Sequence, residues 1–155
     1  MSQKTPNMLA RVEHKDRTWL RVAYQISKLS TCLRGQVGCV LLSPDGSVAG
    51  TGYNGTLPGY PHCTPETCNP SARCLHSRHA ERNALDFSRP GVLSTAYITH
   101  EPCLRCTQDL LSRGVKRILF HFPYLSMPKE EREARDWHLS MGGVAFRSIE
   151  DGGIQ

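Results

Sequence analysis

His79, Glu81, Cys103 and Cys106 are the residues of this chain whose types and spacing could do chemistry. A histidine and two cysteines are donors that zinc accepts, and three protein ligands leave a tetrahedral ion one open position for water. Glu81, two residues from His79 in a His-x-Glu sequence, is then an acid with no ligand's task. It can take a proton from that water and hand one to a departing amine, so the four residues suit hydrolytic deamination. Two blander arrangements use the same residues. One is a closed structural zinc with Glu81 or His100 as fourth ligand, the other a redox Cys-x-x-Cys pair without metal.

The elements that must position these side chains can be read from the apolar spacing. Residues 78–88 predict a helix with Ala80, Ala84, Leu85 and Phe87 turned towards a core and with His79 and Glu81 in its first turn. Residues 103–113 predict a second helix, introduced by Pro102, with Leu104, Thr107, Leu110 and Leu111 as its apolar side. Cys103 and Cys106 then share one face, and the partial positive charge of a helix start favours the thiolates that bind metal. Upstream, residues 15–31 predict a helix through Trp19, Val22, Ala23, Ile26 and Leu29. Residues 37–42 and 47–53 predict two strands joined by the turn Ser43-Pro44-Asp45-Gly46. Strands over 92–99, 116–121 and 143–149 and a helix over 129–140 complete the order. A hairpin followed by helix–strand repeats predicts an α/β fold, a five-stranded mixed sheet covered by helices.

With 155 residues and 39% hydrophobic content, the chain is expected to form one domain over residues 1–155 around a single core. No run of about 18 apolar residues marks a membrane span, and the polar start MSQKTPN lacks a signal-peptide core, so a cytoplasmic protein is expected. In that compartment seven cysteines are better explained by metal binding than by disulfides. The net charge of +5 suits an anionic small molecule. It comes without the dense lysine and arginine clusters of a dedicated nucleic-acid binder.

Between about Asn54 and Leu75 runs a glycine-, proline- and cysteine-rich excursion holding Cys63, Cys68 and Cys74. A loop of this length inside a compact domain needs something to order it. A metal held by these three and Cys32 would do so as a closed four-cysteine site, with His62 and His76 as reserve ligands. Their spacing also suits free thiols packed as small hydrophobes. Cys39, inside an apolar strand, is expected in the core.

Taken together, Ser30-Thr31-Cys32-Leu33-Arg34, Val37-Gly38, Thr51-Gly52-Tyr53-Asn54-Gly55, His62-Cys63, Cys74, His79-Ala80-Glu81-Arg82-Asn83-Ala84, Tyr97-Ile98-Thr99-His100 and Pro102-Cys103-Leu104-Arg105-Cys106 resemble, in order, the deoxycytidylate (dCMP) deaminases. His-x-Glu with Pro-Cys-x-x-Cys is common to the zinc nucleobase deaminases, whereas the other segments narrow the likeness, which spans residues 15–125. The resemblance implies a cytidine deaminase-like three-layer α/β/α fold and hydrolysis of dCMP to dUMP and ammonia, supplying dUMP for thymidylate synthesis. It implies a homo-oligomer, activation by dCTP and inhibition by dTTP, while the composition read above leads to no membrane or nucleic-acid partner being expected. It assigns His79, Cys103 and Cys106 to a catalytic zinc and Glu81 to proton transfer, and it supports a second, structural zinc at Cys32, Cys63, Cys68 and Cys74. Asn54, Ala80 and Tyr124 resemble substrate contacts, and Arg34 and Lys28 resemble phosphate contacts. For Arg34 there is an independent physical case, since its planar fork matches a phosphate.

Some residues depart from the pattern. Glu101 precedes Pro102-Cys103 where many dCMP deaminases have serine, threonine or an aromatic residue, and Leu125 to Arg135 with Trp137-His138 follow no family pattern. The zinc motifs alone would equally serve a deaminase of another cytosine nucleoside or nucleotide, a free base or a tRNA base, or a zinc scaffold without turnover.

Overall fold

The computed structural model describes residues 6–72 and 74–150. The chain runs α1 (Pro6–Ser27), β1 (Gly38–Leu42), β2 (Val48–Tyr53), α2 (Ala80–Asp86), β3 (Thr95–His100), α3 (Leu104–Ser112), β4 (Arg117–Phe122), α4 (Lys129–Gly142) and β5 (Ala145–Ser148). The five strands form one mixed sheet in the order β2-β1-β3-β4-β5. β1 is antiparallel to both β2 and β3, whereas β3, β4 and β5 run parallel. The hairpin turn closes as its residues predict: Ser43 and Ser47 pair through the backbone, and the Asp45 carboxylate accepts from both the Ser47 amide and hydroxyl.

Alternation along the strands sends side chains into two cores. Cys39, Leu41, Ala96, Ile98 and Ile118 face one side, where they pack with Ala80, Ala84 and Leu85 of α2, Leu110 of α3 and Leu139 of α4. Val40, Leu42, Tyr97 and Leu119 face the other side, against Leu20 and Ala23 of α1. The result is the expected three-layer α/β/α arrangement, with α1 alone on one face. Cys39 is fully buried, as its strand context predicts.

Two glycines set how closely the helices approach. A β-carbon on Gly38 would lie 1.9 Å from the Ala23 carbonyl oxygen of α1, and one on Gly52 would lie 2.4 Å from the Ala80 carbonyl oxygen of α2. Only a residue without a side chain lets the backbones meet at those distances. Gly52 thereby seats the start of α2, and with it Glu81, directly on the sheet.

The structure differs from the sequence reading in several places. The first helix spans Pro6–Ser27 rather than 15–31, so Leu29 lies beyond its end and is exposed. Phe87 is also exposed rather than turned to the core, because α2 stops at Asp86 and Phe87 occupies its C-cap. The third strand begins at Thr95 rather than at residue 92. Leu20 and Asp16 are buried on α1, and Asp16 accepts from the Tyr97 hydroxyl at 2.6 Å and from Arg117 at 2.9 Å.

Candidate active site

Both metal-binding motifs lie where a helix begins. His79 is the N-cap of α2 and Cys103 that of α3, each with extended backbone (φ −69°, ψ 149° and φ −71°, ψ 172°). The Cys103 sulfur accepts from the Cys106 amide at 3.5 Å, a capping bond that also gathers both cysteines at the helix start. The Cys103 and Cys106 sulfurs lie 3.7 and 3.3 Å from Nδ1 of His79. All three donor atoms fall within 4.8 Å of one another.

One thiol of the donor set is acidified. A hydrogen bond from Cys106, with further bonds from His79 and the Cys106 amide, holds the Cys103 thiol down at about 4. Cys106 is pushed up by the same sulfur pairing and by burial, so the two thiols titrate as a coupled pair. His79 is exposed, Cys103 half-buried and Cys106 buried, so the cluster opens to solvent on the histidine side. Among the described residues no further histidine, cysteine or carboxylate joins this group, Glu81 and His100 included. His100 instead meets the Thr99 hydroxyl at 2.9 Å and packs against Phe122. A soft, three-donor set with no fourth protein donor fits a zinc ion with an open position.

Glu81 occupies the second position of α2 and is buried beside the cluster. Burial lifts its carboxyl from 4.5 to about 7, against the opposing pull of its own backbone amide and of His79. A carboxyl near neutrality both accepts and returns a proton readily at physiological pH.

The remaining residues singled out from the sequence divide. Cys63 lies close enough to Cys74, Cys32 and Cys68 for them, after burial, to raise its thiol pKa, so the four cysteines share one neighbourhood. No three of their sulfurs gather as tightly as the His79 group. Amides of His76 and Ser77 hold the Cys74 thiol below its usual range. Paired backbone bonds between Gly55 and Arg78 close the neck of this excursion, and Nδ1 of His62 lies 3.1 Å from the Thr31 hydroxyl.

Arg34 donates to the Ala72 carbonyl at 2.6 Å, which ties it to the cysteine-rich excursion and uses one of its five donors. The Asn54 side chain accepts from the Val37 amide and donates to the Gly35 carbonyl, both at 2.8 Å, pinning the segment before β1 to the end of β2. The Ala80 side chain is wholly buried among core residues. Lys28 is exposed, with its ammonium 5.1 Å from the Tyr24 ring centre. Tyr124 is partly exposed just beyond the end of β4.

Sequence reasoning noted Glu101 only as a departure. It is a buried carboxylate that accepts from the Tyr124 amide at 2.7 Å and from Arg132 at 3.2 Å, and it pairs with the buried Arg135. Its odd position before Pro102-Cys103 was the available signal; its partners, 23 to 34 residues away, had none.

A cavity of about 520 Å³ lies at the opposite end of β3 and β4, lined in part by Asp16, Trp19, Thr95, Tyr97 and Arg117. It is remote from the His79 cluster. Among the described residues no helix is long and apolar enough to cross a membrane.

Comparison with known proteins agrees with this geometry. ComE operon protein 2 of Bacillus subtilis (strain 168) is 34% identical over 104 residues, which cover 64% of this chain and 54% of that protein, so the chain spans about half its length. A deoxycytidylate deaminase of Mycobacterium phage D29 is 32% identical over 122 residues, 68% of this chain and 92% of that protein. The crystal structure of dCMP deaminase from the cyanophage S-TIM5 in apo form superposes with a TM-score of 0.67 at 25% identity, covering 88% of this chain and 98% of that one. Residues 13–122 match the cytidine and deoxycytidylate deaminase zinc-binding region. That stretch contains the His79, Cys103 and Cys106 cluster with Glu81, and on it the chain belongs to the cytidine and deoxycytidylate deaminase family.

Proposed function

We propose that this chain is a zinc-dependent hydrolase that deaminates dCMP to dUMP and ammonia. The observation that carries the reading is the gathering of His79, Cys103 and Cys106 within 4.8 Å, open on one side, with the buried acid Glu81 two residues from the histidine. The phage D29 and cyanophage relatives are named deoxycytidylate deaminases, and the likeness to the D29 enzyme extends over most of its length.

Zinc held by His79, Cys103 and Cys106 supplies Lewis acidity and makes a water-derived nucleophile available near neutral pH. Glu81 accepts a proton from water and passes it to ring N3 as oxygen bonds to C4 of the cytosine. It then moves the second water proton to the exocyclic amine. The C4–N bond breaks, ammonia leaves, and C4 keeps the oxygen as the uracil carbonyl. Burial of Glu81 keeps bulk water from competing for its proton.

Arg34 is the phosphate contact in this reading, with Lys28 as a second, while Asn54, Ala80 and Tyr124 are the other substrate contacts. Cys32, Cys63, Cys68 and Cys74 hold a second, structural zinc, supported by their shared neighbourhood. The whole chain forms one catalytic domain over residues 1–155, a cytoplasmic enzyme that works as a homo-oligomer and answers to dCTP and dTTP. An ammonia-release assay over dCMP, deoxycytidine, free cytosine and tRNA, with and without dCTP and dTTP, tests it. Efficient turnover of dCMP alone is expected. Preference for an unphosphorylated substrate or for tRNA would overturn the substrate assignment, and full zinc without turnover on any of them would make the protein a scaffold.

A further inference from the structure

We propose that Glu101 is a positioning residue for nucleotide binding, fixing the Tyr124 segment at the rim of the site; this rests on the function proposed above. Glu101 lies just after β3, immediately before Pro102 and the ligand Cys103, and β3 and β4 run parallel side by side with His100 opposite Phe122. In such sheets ligands bind at the carboxyl ends of parallel strands. Residues 123–126, which leave the end of β4, are exposed.

The carboxylate divides its oxygens between tasks. Oε2 accepts from the Tyr124 amide at 2.7 Å, and Oε1 accepts from Arg132 at 3.2 Å and from Arg135. Arg132 closes the circuit by donating from Nη2 to the Tyr124 carbonyl at 2.7 Å. Both peptide groups of Tyr124 are therefore held by one ion cluster, in which Glu101 and Arg135 are buried and Arg132 is partly exposed, while Tyr124 itself stays 38% exposed. Arg135 anchors the cluster in α4: it is buried, donates to Asp136 at 2.8 and 3.0 Å and lies 4.8 Å from the Phe146 ring centre. Apolar contacts would dock a helix at least as well as buried charges do. What the charges add is direction: charge-assisted bonds fix the backbone of one exposed residue relative to the turn that carries a metal ligand.

The test compares wild-type protein with Glu101→Gln and Arg132→Ala. It reads kcat and KM for dCMP, zinc per chain, and amide hydrogen exchange of residues 124–127. Glutamine keeps the shape of Glu101 but cannot hold an amide and two guanidinium groups at once. Glu101→Gln should raise KM about tenfold, the scale of one lost charge-assisted hydrogen bond, with unchanged zinc and kcat within about threefold. Arg132→Ala should shift KM the same way by about threefold, and both variants should speed exchange at Tyr124. Wild-type KM and exchange in zinc-loaded Glu101→Gln would overturn the proposal, as would loss of zinc or a fall in kcat with KM unchanged. Should Glu101→Gln not yield folded protein, Arg132→Ala decides the matter by the same two readouts. A wild-type protein inactive on dCMP would refute the substrate reading instead, and exchange at Tyr124 alone would then decide the clamp.

Discussion

Glu81→Gln separates what the buried carboxyl does for the reaction from what it costs the fold. Burial raises this group from 4.5 to about 7, a difference worth about 3 kcal/mol. The sign follows from proton binding. Between those two values the unfolded chain has already released the proton that the folded chain still holds, so stability falls as pH rises through the window and stays low above it. Glutamine keeps the shape and has no charge to desolvate. In zinc-loaded protein the variant should keep its metal and lose about 10²- to 10⁴-fold in kcat, the range for a missing general acid–base group. The cost to the fold is read in a His79→Ala background, where a catalytic ligand is gone and the other zinc ligands are untouched. There, adding Glu81→Gln should raise the free energy of unfolding by up to about 3 kcal/mol at pH 8 and by little near pH 4.5. Ammonia release with metal analysis serves the first comparison, and urea unfolding at two pH values serves the second. Zinc-loaded Glu81→Gln at the wild-type rate would refute the proton-transfer role, and equal stability of the paired variants at pH 8 would refute the burial argument.

Arg34→Ala should reduce kcat/KM on dCMP about tenfold to a hundredfold more than on deoxycytidine, because only the nucleotide offers a phosphate. Equal losses on both would mean that its bond to Ala72 is its whole contribution. Cys68→Ser should lower zinc from two ions per chain to one and lower the thermal midpoint with it, while the folded fraction still turns over; one zinc per wild-type chain at full activity would dispose of the second site. Gly52→Ala should destabilise the protein by about 1 to 3 kcal/mol, since the new methyl must push α2 from the sheet. Because that helix carries His79 and Glu81, kcat should fall as well, and an unchanged thermal midpoint would show that the approach of α2 is looser than described.

The candidate metal cluster was legible in the sequence because each half is local. His79 and Glu81 lie two residues apart, Cys103 and Cys106 lie three apart, and each pair sits at a helix start that its own neighbours announce. The fold order was legible for a similar reason: period-two and helical spacing are written into the core-facing residues. What escaped was either unpacked or distant. Residues 7–14 of α1 are exposed, Met8, Leu9 and Val12 among them, so the helix runs on to Pro6 without a core to bury its apolar side. Phe87 and Leu29 fit the helical spacing but fall past the helix ends, where that spacing no longer decides burial. The Asp16–Tyr97–Arg117 cluster joins residues 81 and 101 positions apart, and the Glu101–Arg135 pair spans 34. No periodicity links such partners, and only the folded sheet brings them together.

The same contrast explains why the acid of this site is placed as it is. Two N-caps in extended conformation leave the His79 and Cys103 side chains outside their helices, free to face a common point, while the next residues enter the core. Glu81 is one of those entering residues, and the close seating of α2 on Gly52 carries its carboxyl down to the level of Cys39 on β1, whose buried thiol it pushes further up. A charged group at that depth is stabilised by its own backbone amide, by His79 and by Cys106. Its proton affinity is therefore set chiefly by burial and by the cluster itself. A shallower helix would relieve the cost of burial and return Glu81 towards an ordinary, weakly basic carboxylate. The absence of a side chain at residue 52 thus sets the stability lost at this position and, in the proposed mechanism, the readiness of Glu81 to move a proton.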